Sequence, residues 1–282
     1  MTAARIRLDA ELVRRGLARS REQAGELVAA GRVTVAGQLA AKAATQVIRD
    51  APITIAETDE PGYVSRGGRK LAGALAVFQP MGLVVAGRDA LDAGASTGGF
   101  TDVLLRAGAA HVVAADVGYG QLAWSLRTDP RVTVMDRVNV RTLDRVTPVP
   151  GLVVADLSFI SLTLVLPALA ACAAPDADFV LLVKPQFEVG KGRVGSGGVV
   201  REAADRADAV RRVTSAAGRL GLGVLGVTAS PLPGPAGNVE YFVWLRRGAP
   251  PLDDNQLERA IAEGPEGTKG SAPRGKHKEG PS

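Results

Sequence analysis

Short apolar runs alternate with amphipathic stretches over residues 88–247. The apolar runs are candidate strands, and they cover residues 90–93, 111–117, 132–135, 152–157, 179–183, 224–228 and 241–245. Several are apolar at every position, which is typical of strands whose two faces are both covered. Helical stretches lie between most of them, the clearest at residues 202–220. This alternation predicts an α/β fold with a mostly parallel sheet.

The last two candidate strands are joined in a different way. Residues 230–238 between them are rich in proline and glycine and leave no room for a helix. Because a short connection joins antiparallel neighbours, we expect the final strand to run against the others. Seven strands with an antiparallel last one resemble the Rossmann-like fold of S-adenosylmethionine-dependent methyltransferases.

The first 60 residues predict a separate, small α/β module. Apolar positions 8, 12, 13 and 17 mark one helix. Ser20 and Gln23 form a capping box that opens a second helix, and Gly31 ends it. Residues 32–35 alternate as a strand does, and residues 47–48 and 53–55 supply further strand material.

The pattern divides the chain into four parts. They are a module at residues 1–60, a linker at 61–70, the large α/β domain at 71–248 and a tail at 249–282. Leu71, Ala74, Leu75 and Phe78 give the first helix after the linker a buried stripe. The tail is rich in Pro, Gly, Lys and Glu, and we expect disorder there apart from a short helix near residues 255–261.

Composition adds charge and context. The net charge of +5 favours an anionic partner. Cys172 is the single cysteine, so no intramolecular disulfide forms, and its apolar surroundings predict a core thiol. With two histidines, His111 and His277, far apart in sequence, no metal cluster is expected. The sequence shows no signal peptide and no apolar run of about 18 residues, so we expect a cytoplasmic protein.

Basic residues are concentrated at the front of the chain, where residues 1–49 carry nine Lys/Arg and four acids. The elements Arg7-Leu8-Asp9, Ser20-Arg21 and Gly31 to Gly37 are similar to the RNA-binding domain named after ribosomal protein S-four, with Ala36 where an Asn is usual. This resemblance implies phosphate contacts, for which the candidates are Arg7, Arg14, Arg15, Arg19 and Arg21. Scattered arginines are also typical of a solvated helix face.

A glycine-spaced turn follows the first strand of the large domain. A dinucleotide-binding loop reads G-x-G-x-x-G, but Ser96 stands where the second glycine belongs. The turn instead resembles the first motif of S-adenosylmethionine methyltransferases, which implies that cofactor. The candidate cofactor residues in the turn are Asp92, Gly94, Ser96, Thr97, Gly98, Gly99 and Phe100. We expect its glycines to let the backbone approach the ligand.

Two further acids end the next two strands. Asp116 lies about 20 residues on, where a carboxylate accepts hydrogen bonds from ribose hydroxyls. Asp136 ends the third strand, where the resemblance implies a contact with adenine. A strand-end Asp is often only a turn cap, but three of them beside a glycine turn favour a cofactor site.

Four charged residues are predicted to meet at the carboxyl edge of the sheet. Asp156 and Lys184 end neighbouring strands, Glu240 begins the antiparallel strand, and Lys70 precedes the first strand. Charges at strand ends are common because the chain leaves the core there. Their order nevertheless resembles the Lys-Asp-Lys-Glu tetrad of FtsJ/RrmJ-like 2′-O-ribose methyltransferases. With the front module, the chain resembles the hemolysin A (TlyA) family of rRNA cytidine 2′-O-methyltransferases over residues 5–247.

The resemblance implies a reaction that suits these residues. A ribose hydroxyl must lose its proton as it attacks a methyl group, and a lysine takes that proton only if its pKa falls from about 10.4. We assign Lys184 as the base and Lys70 as a second cation, with Asp156 and Glu240 orienting them. No metal is required, because the reacting atoms need only be held in line.

Further RNA contacts are expected outside the front module. Arg66 lies in the basic linker, and Lys191 and Arg193 lie in the glycine-rich loop 188–199, which is either a flexible connector or a flap on the substrate side. The expected function is transfer of a methyl group from S-adenosylmethionine to cytidine in 16S or 23S rRNA, or both. A membrane-active hemolysin and a non-catalytic RNA-binding protein are the alternatives. The sequence does not identify the ribosomal subunit, the nucleotide or the oligomeric state.

Overall fold

The computed structural model describes residues 5–18, 20–29, 31–56 and 62–264, and it divides into two compact units, Met1–Gly62 and Tyr63–Ser282. The sequence placed residues 67–70 in a linker, but they form the first turn of a helix. The short helix expected near residues 255–261 is present at Asp254–Glu263, and its buried Leu257 and Ala260 pack it onto the second unit. The second unit is therefore larger than the predicted domain at both ends.

The first unit is a small α/β module. Its elements are β1 (Arg5–Arg7), α1 (Leu8–Arg14), α2 (Arg21–Ala29), β2 (Val33–Val35), β3 (Gln38–Leu39), β4 (Gln46–Ile48) and β5 (Ile53–Ile55). β1 pairs with β4, while β3, β2 and β5 form a second antiparallel sheet. The predicted cap is confirmed, since Ser20 Oγ accepts a hydrogen bond from Gln23 N at 3.1 Å.

The second unit alternates helices and strands. Its strands are β6 (Asp89–Ala93), β7 (His111–Asp116), β8 (Val132–Asp136), β9 (Leu152–Ala155), β10 (Asp178–Val183), β11 (Leu222–Ala229) and β12 (Tyr241–Arg247). Its helices are α3 (Gly67–Phe78), α4 (Gly99–Arg106), α5 (Trp124–Arg127), α6 (Leu162–Cys172), α7 (Pro185–Glu188), α8 (Ala203–Gly218) and α9 (Asp254–Glu263). Leu71, Ala74, Leu75 and Phe78 form the buried stripe of α3, as predicted.

The seven strands form one sheet in the order β11-β12-β10-β9-β6-β7-β8. β12 runs antiparallel to both of its neighbours, and the strands from β10 to β8 are parallel, which confirms the prediction. Alternate residues of each central strand enter different cores: Leu91 and Val113 lie on one side of the sheet, and Ala90 and Val112 lie on the other. Every residue of β9 and β10 is buried.

Two further expectations concern burial. Cys172 is 5% exposed in the core, and burial raises the pKa of its thiol. Across the described ranges, no helix is both long enough and apolar enough to cross a membrane.

Candidate active site

The sheet register brings three of the predicted charged residues to one edge. Ala155 pairs with Leu181 on β10, and Val183 pairs with Tyr241 on β12. Asp156 and Lys184 follow the carboxyl ends of β9 and β10, and Glu240 precedes β12 at the same edge. The antiparallel direction of β12 is what places a residue before a strand beside residues that follow strands.

The four residues form two tight pairs. Lys184 Nζ lies 2.6 Å from Asp156 Oδ1, and Lys70 Nζ lies 2.5 Å from Glu240 Oε2. Lys70, Lys184 and Glu240 are nearly or fully buried. The structure therefore joins the predicted residues in pairs, one through adjacent parallel strands and the other between α3 and the start of β12.

Lys184 has a second partner that the sequence analysis missed. Its Nζ donates a hydrogen bond to Ser158 Oγ at 2.9 Å. Phe159, the next residue, has φ of 64° and is 92% exposed, with its ring 5.4 Å from that of Phe187. The sequence analysis named Asp156 but not Ser158, which lies two residues later in the same segment.

Asp92 on β6 is fully buried and incompletely hydrogen-bonded. Its Oδ2 accepts a hydrogen bond from Thr101 Oγ1 at 2.7 Å, while its Oδ1 has no partner among the described residues. Burial raises the pKa of Asp92 to about 7; the Thr101 hydrogen bond opposes that rise, and the nearby Asp156 and Asp116 carboxylates add to it. A buried acceptor without a donor is suited to a cationic or hydrogen-bond-donating ligand.

The glycines of the turn are also needed for packing within the protein. Gly94 and Gly98 adopt left-handed φ values of 87° and 97°. A Cβ at Gly94 would lie 2.6 Å from the carbonyl oxygen of Asp156, and one at Gly98 would clash with Leu126. A Cβ at Gly99 would lie 2.7 Å from the backbone nitrogen of Gly68. Glycine is thus favoured at these positions because other segments of the protein pack closely against them and, at Gly94 and Gly98, because of the backbone conformation.

The remaining turn residues divide between surface and core. Ser96 is exposed with φ of 48°, and its backbone N–H donates to Asp116 Oδ2 at 2.8 Å. Thr97 is half-buried. Phe100 is 3% exposed and packs against Phe242, so its ring belongs to the core and not to the surface of the turn. Thr101, which the sequence analysis missed, is the residue that reaches Asp92.

The two other strand-end acids lie on the next two strands of the sheet and have hydrogen-bond partners within the protein. Asp116 also accepts a hydrogen bond from Gly118 N at 2.7 Å, and the β7–β8 register pairs it with Asp136. Asp136 forms an ion pair with Arg127 at 2.8 Å, and the Arg127 hydrogen bond holds the pKa of Asp136 below its usual value. Val117, which follows Asp116, is 68% exposed.

The segment before α3 packs directly on the start of α4. Val64 N donates to Asp102 Oδ2 at 2.9 Å, and the Arg106 guanidinium lies 4.9 Å from the centre of the Tyr63 ring. Gly68 approaches the carbonyl of Gly99 so closely that a Cβ there would lie 3.1 Å from its oxygen. The helix that follows the glycine turn is therefore braced by the segment that carries Lys70.

Most of the predicted RNA-contacting arginines are paired with carboxylates. Arg7 and Arg21 contact Asp9, and Arg14 and Arg15 contact Glu11. Arg19 and the Lys191 side chain lie outside the described residues. The two linker and loop arginines also have protein partners. Arg66 donates to the Pro233 carbonyl at 2.6 Å, and Arg193 pairs with Asp205 and Asp208.

These residues fit S-adenosylmethionine in the chemistry of their donors and acceptors. The unpartnered carboxylate oxygen of Asp92 suits a positively charged amino-acid end. Asp116, on the strand next to β6, accepts a hydrogen bond from the turn at Ser96 and has carboxylate oxygens suited to hydroxyl donors. The two lysine–carboxylate pairs lie at the same edge and supply groups that can accept or hold a proton.

Comparisons with known proteins identify the families that the two parts of the chain match. Residues 63–247 match the FtsJ-like methyltransferase family, and residues 6–49 match the S4 domain. The chain is 59% identical, over 93% of its length and 100% of the relative, to "16S/23S rRNA (cytidine-2'-O)-methyltransferase TlyA" of Mycobacterium tuberculosis H37Rv. It is 36% identical to "Hemolysin A" of Brachyspira hyodysenteriae, covering 84% of this chain and 98% of that protein.

A solved structure is similar to this one over nearly all of the chain. "Putative hemolysin from Streptococcus thermophilus" has a TM-score of 0.73 and 38% identity with this chain. The match covers 93% of this chain and 96% of the other.

Proposed function

The chain belongs to the hemolysin A (TlyA) family of S-adenosylmethionine-dependent FtsJ-like methyltransferases, and from this premise we propose that it methylates the 2′-hydroxyl of cytidine in ribosomal RNA, in the 16S or 23S molecule or both. Lys70, Asp156, Lys184 and Glu240 carry the reaction. The observation that supports this most directly is the presence of two lysine–carboxylate pairs at the sheet edge that also carries the unpartnered Asp92 oxygen.

The proposed chemistry needs a base and a fixed geometry. S-adenosylmethionine, when bound, supplies the activated methyl group. Lys184 Nζ, in its neutral form, accepts the proton of the ribose 2′-hydroxyl as the hydroxyl oxygen forms its bond to the methyl carbon, and the electron pair of the broken carbon–sulfur bond remains on sulfur. Asp156 and Ser158 hold Lys184 Nζ in place for that transfer.

Lys70 has a different role in the proposal. Its ammonium is held by Glu240 Oε2, so a second positive charge stands at the edge where the ribose oxygen develops negative charge. The other Glu240 oxygen is buried and has no hydrogen-bond partner among the described residues. Asp92, Asp116 and Asp136 with the turn from Gly94 to Gly99 would hold the cofactor.

The test is tritium transfer from S-adenosylmethionine to 30S and 50S subunits that lack the modification. The wild-type protein should label RNA, and Lys184→Ala should lower kcat by roughly 100-fold or more. Arg259→Ala, an exposed basic residue on α9, is the matched control and should keep wild-type kcat. Equal rates for Lys184→Ala and the control would rule out the proposed base.

A second readout identifies the methylated atom. A 2′-O-methyl group blocks alkaline cleavage at the following phosphate, so the labelled position should become resistant to hydrolysis. If the label is on the base and alkaline cleavage still occurs at every position, the ribose assignment is wrong. Separate assays of the two subunits decide between 16S and 23S rRNA.

A further inference from the structure

The segment that carries Lys184 is tied to the segment that carries Asp156 at two places. The first is the lysine itself, which contacts Asp156 and Ser158. The second lies one turn later, where Glu188 Oε1 accepts a hydrogen bond from Leu162 N at 2.7 Å and Glu188 Oε2 accepts one from Ser161 Oγ at 2.5 Å. The two ties join residues 184–188 to residues 156–162.

Burying Glu188 costs free energy, and an apolar side chain of similar size would fill the same space without that cost. It is 3% exposed, and its two oxygens are bonded to an uncharged hydroxyl and a backbone amide, not to a cation. Burial raises the pKa of Glu188; the Ser161 and Leu162 hydrogen bonds and the positive charge of Arg212 oppose that rise. A carboxyl group that is buried without a bonded cation therefore points to a role that an apolar residue could not fill.

The helix that begins at Leu162 already has a cap without Glu188. Ser161 Oγ accepts a hydrogen bond from Thr163 N at 3.2 Å, which is the usual capping contact. Glu188 instead reaches the preceding amide from a different segment, so its contact fixes the distance between the two segments. Because Lys184 directly precedes the short helix that Glu188 ends, the position of Glu188 constrains the position of Lys184.

We propose that Glu188 is a positioning residue that holds Lys184 Nζ against Asp156 and Ser158 in the geometry of proton transfer. This inference rests on the proposed function, since it assumes that Lys184 is the base. A displacement of about 1 Å between reacting groups lowers rates by roughly 100-fold. Loss of the Glu188 contacts should therefore affect kcat and leave cofactor and RNA binding unchanged.

The experiment compares two substitutions of similar size. Glu188→Gln keeps an acceptor for Leu162 N, and Glu188→Met removes both acceptors. Glu188→Met should lower kcat roughly 10- to 100-fold with KM for ribosomal subunits and Kd for S-adenosylmethionine within about twofold. Glu188→Gln should restore kcat to within about threefold of wild type.

Thr214→Ala controls for a general loss of stability. Thr214 is buried on α8, and its hydroxyl donates to carbonyl oxygens of its own helix. Ser161→Ala provides a second probe if Glu188→Met does not fold, because it removes one of the two contacts; it should lower kcat roughly 3- to 10-fold.

The proposal is overturned if Glu188→Met, or Ser161→Ala in its place, lowers kcat no more than Thr214→Ala does. It is also overturned if the loss lies in KM or Kd, or if Glu188→Gln is as slow as Glu188→Met. These results leave the proposed function standing as long as Lys184→Ala is inactive. An active Lys184→Ala would instead refute the proposed base itself.

Discussion

Two fully buried aspartates in the same sheet have opposite environments. Asp178 begins β10 at the amino edge and is bonded by Arg88 Nη1, Arg246 Nε and Nη2, and Trp244 Nε1. Asp92 lies near the carboxyl end of β6 with one donor, Thr101, and one unpartnered oxygen. Burial opposes ionisation of both, but the Arg246, Trp244 and Arg88 hydrogen bonds lower the pKa of Asp178, whereas the pKa of Asp92 is about 7.

The difference separates an edge whose carboxylate is satisfied within the fold from an edge whose carboxylate is suited to a ligand. At the amino edge the charge is fully compensated within the chain, so the carboxylate contributes to folding. At the carboxyl edge compensation is incomplete, which weakens folding and leaves binding capacity for a ligand. Burial by itself does not distinguish the two cases; the donors supplied by neighbouring strands do.

The largest expected effect is on stability at the amino edge. Asp178→Ala leaves two guanidinium groups and an indole N–H without their shared acceptor and should lower the free energy of unfolding by about 3–5 kcal/mol. Urea denaturation followed by circular dichroism measures this. Methyl transfer per folded molecule at low temperature should stay at the wild-type level. If the free energy of unfolding falls by less than about 1 kcal/mol, the comparison between Asp178 and Asp92 fails.

The second prediction concerns ligand binding at the carboxyl edge. Asp92→Asn removes a charge-assisted contact worth about 1.5–3 kcal/mol, so affinity for S-adenosylmethionine should fall roughly 10- to 100-fold. Isothermal titration calorimetry measures the Kd, and the unfolding free energy should change little or rise. Asp178→Asn is the matched control, with reduced stability and unchanged Kd. Unaltered cofactor affinity in Asp92→Asn would show that the free oxygen does not face the cofactor.

The third prediction separates the two carboxylates by pH. The pKa of Asp178 is lower in the folded state, so its stabilisation is present above about pH 4 and is lost as the pH falls through the folded pKa. The pKa of Asp92 is about 7 in the folded state, so its destabilisation is absent below about pH 4, grows between about pH 4 and 7, and is constant above.

Urea denaturation at a series of pH values checks both signs. The stability of Asp92→Asn relative to wild type should rise between about pH 4 and 7 and then level off. The stability of Asp178→Asn should approach that of wild type only below about pH 4. If the difference in unfolding free energy between a variant and the wild type does not change with pH, the pKa shift of that aspartate is contradicted.

The smallest effect is expected in the first unit, where Glu11 resembles Asp178. Arg14 and Arg15 both bond its carboxylate, as does Asp50 N, and the Arg14 hydrogen bond holds the pKa of Glu11 well below its usual value. Replacement of Arg14 by Gln should weaken RNA binding and flatten its salt dependence by less than one unit of slope, because this charge is already partly compensated. Filter binding at several salt concentrations measures the slope, and an unchanged slope would exclude Arg14 from the RNA surface.

Much of the site was predictable because strand ends are marked in the sequence. Asp92, Asp116, Asp136, Asp156 and Lys184 each follow or end an apolar run, and parallel strands bring such residues to one edge. Thr101, Ser158 and Glu188 were not predicted, since their roles depend on hydrogen bonds between separate segments. A hydroxyl or a carboxylate in a loop carries no periodic signal that identifies its partner.

The sequence by itself determined the order of strands and helices, the antiparallel last strand and the edge on which the charged residues lie, because these depend on local periodicity and on the length of connections. Only the tertiary structure decided that Lys70 pairs with Glu240, that Phe100 packs in the core and which arginines form ion pairs with carboxylates. Those outcomes depend on distances between residues far apart in the chain, and such distances are fixed by packing.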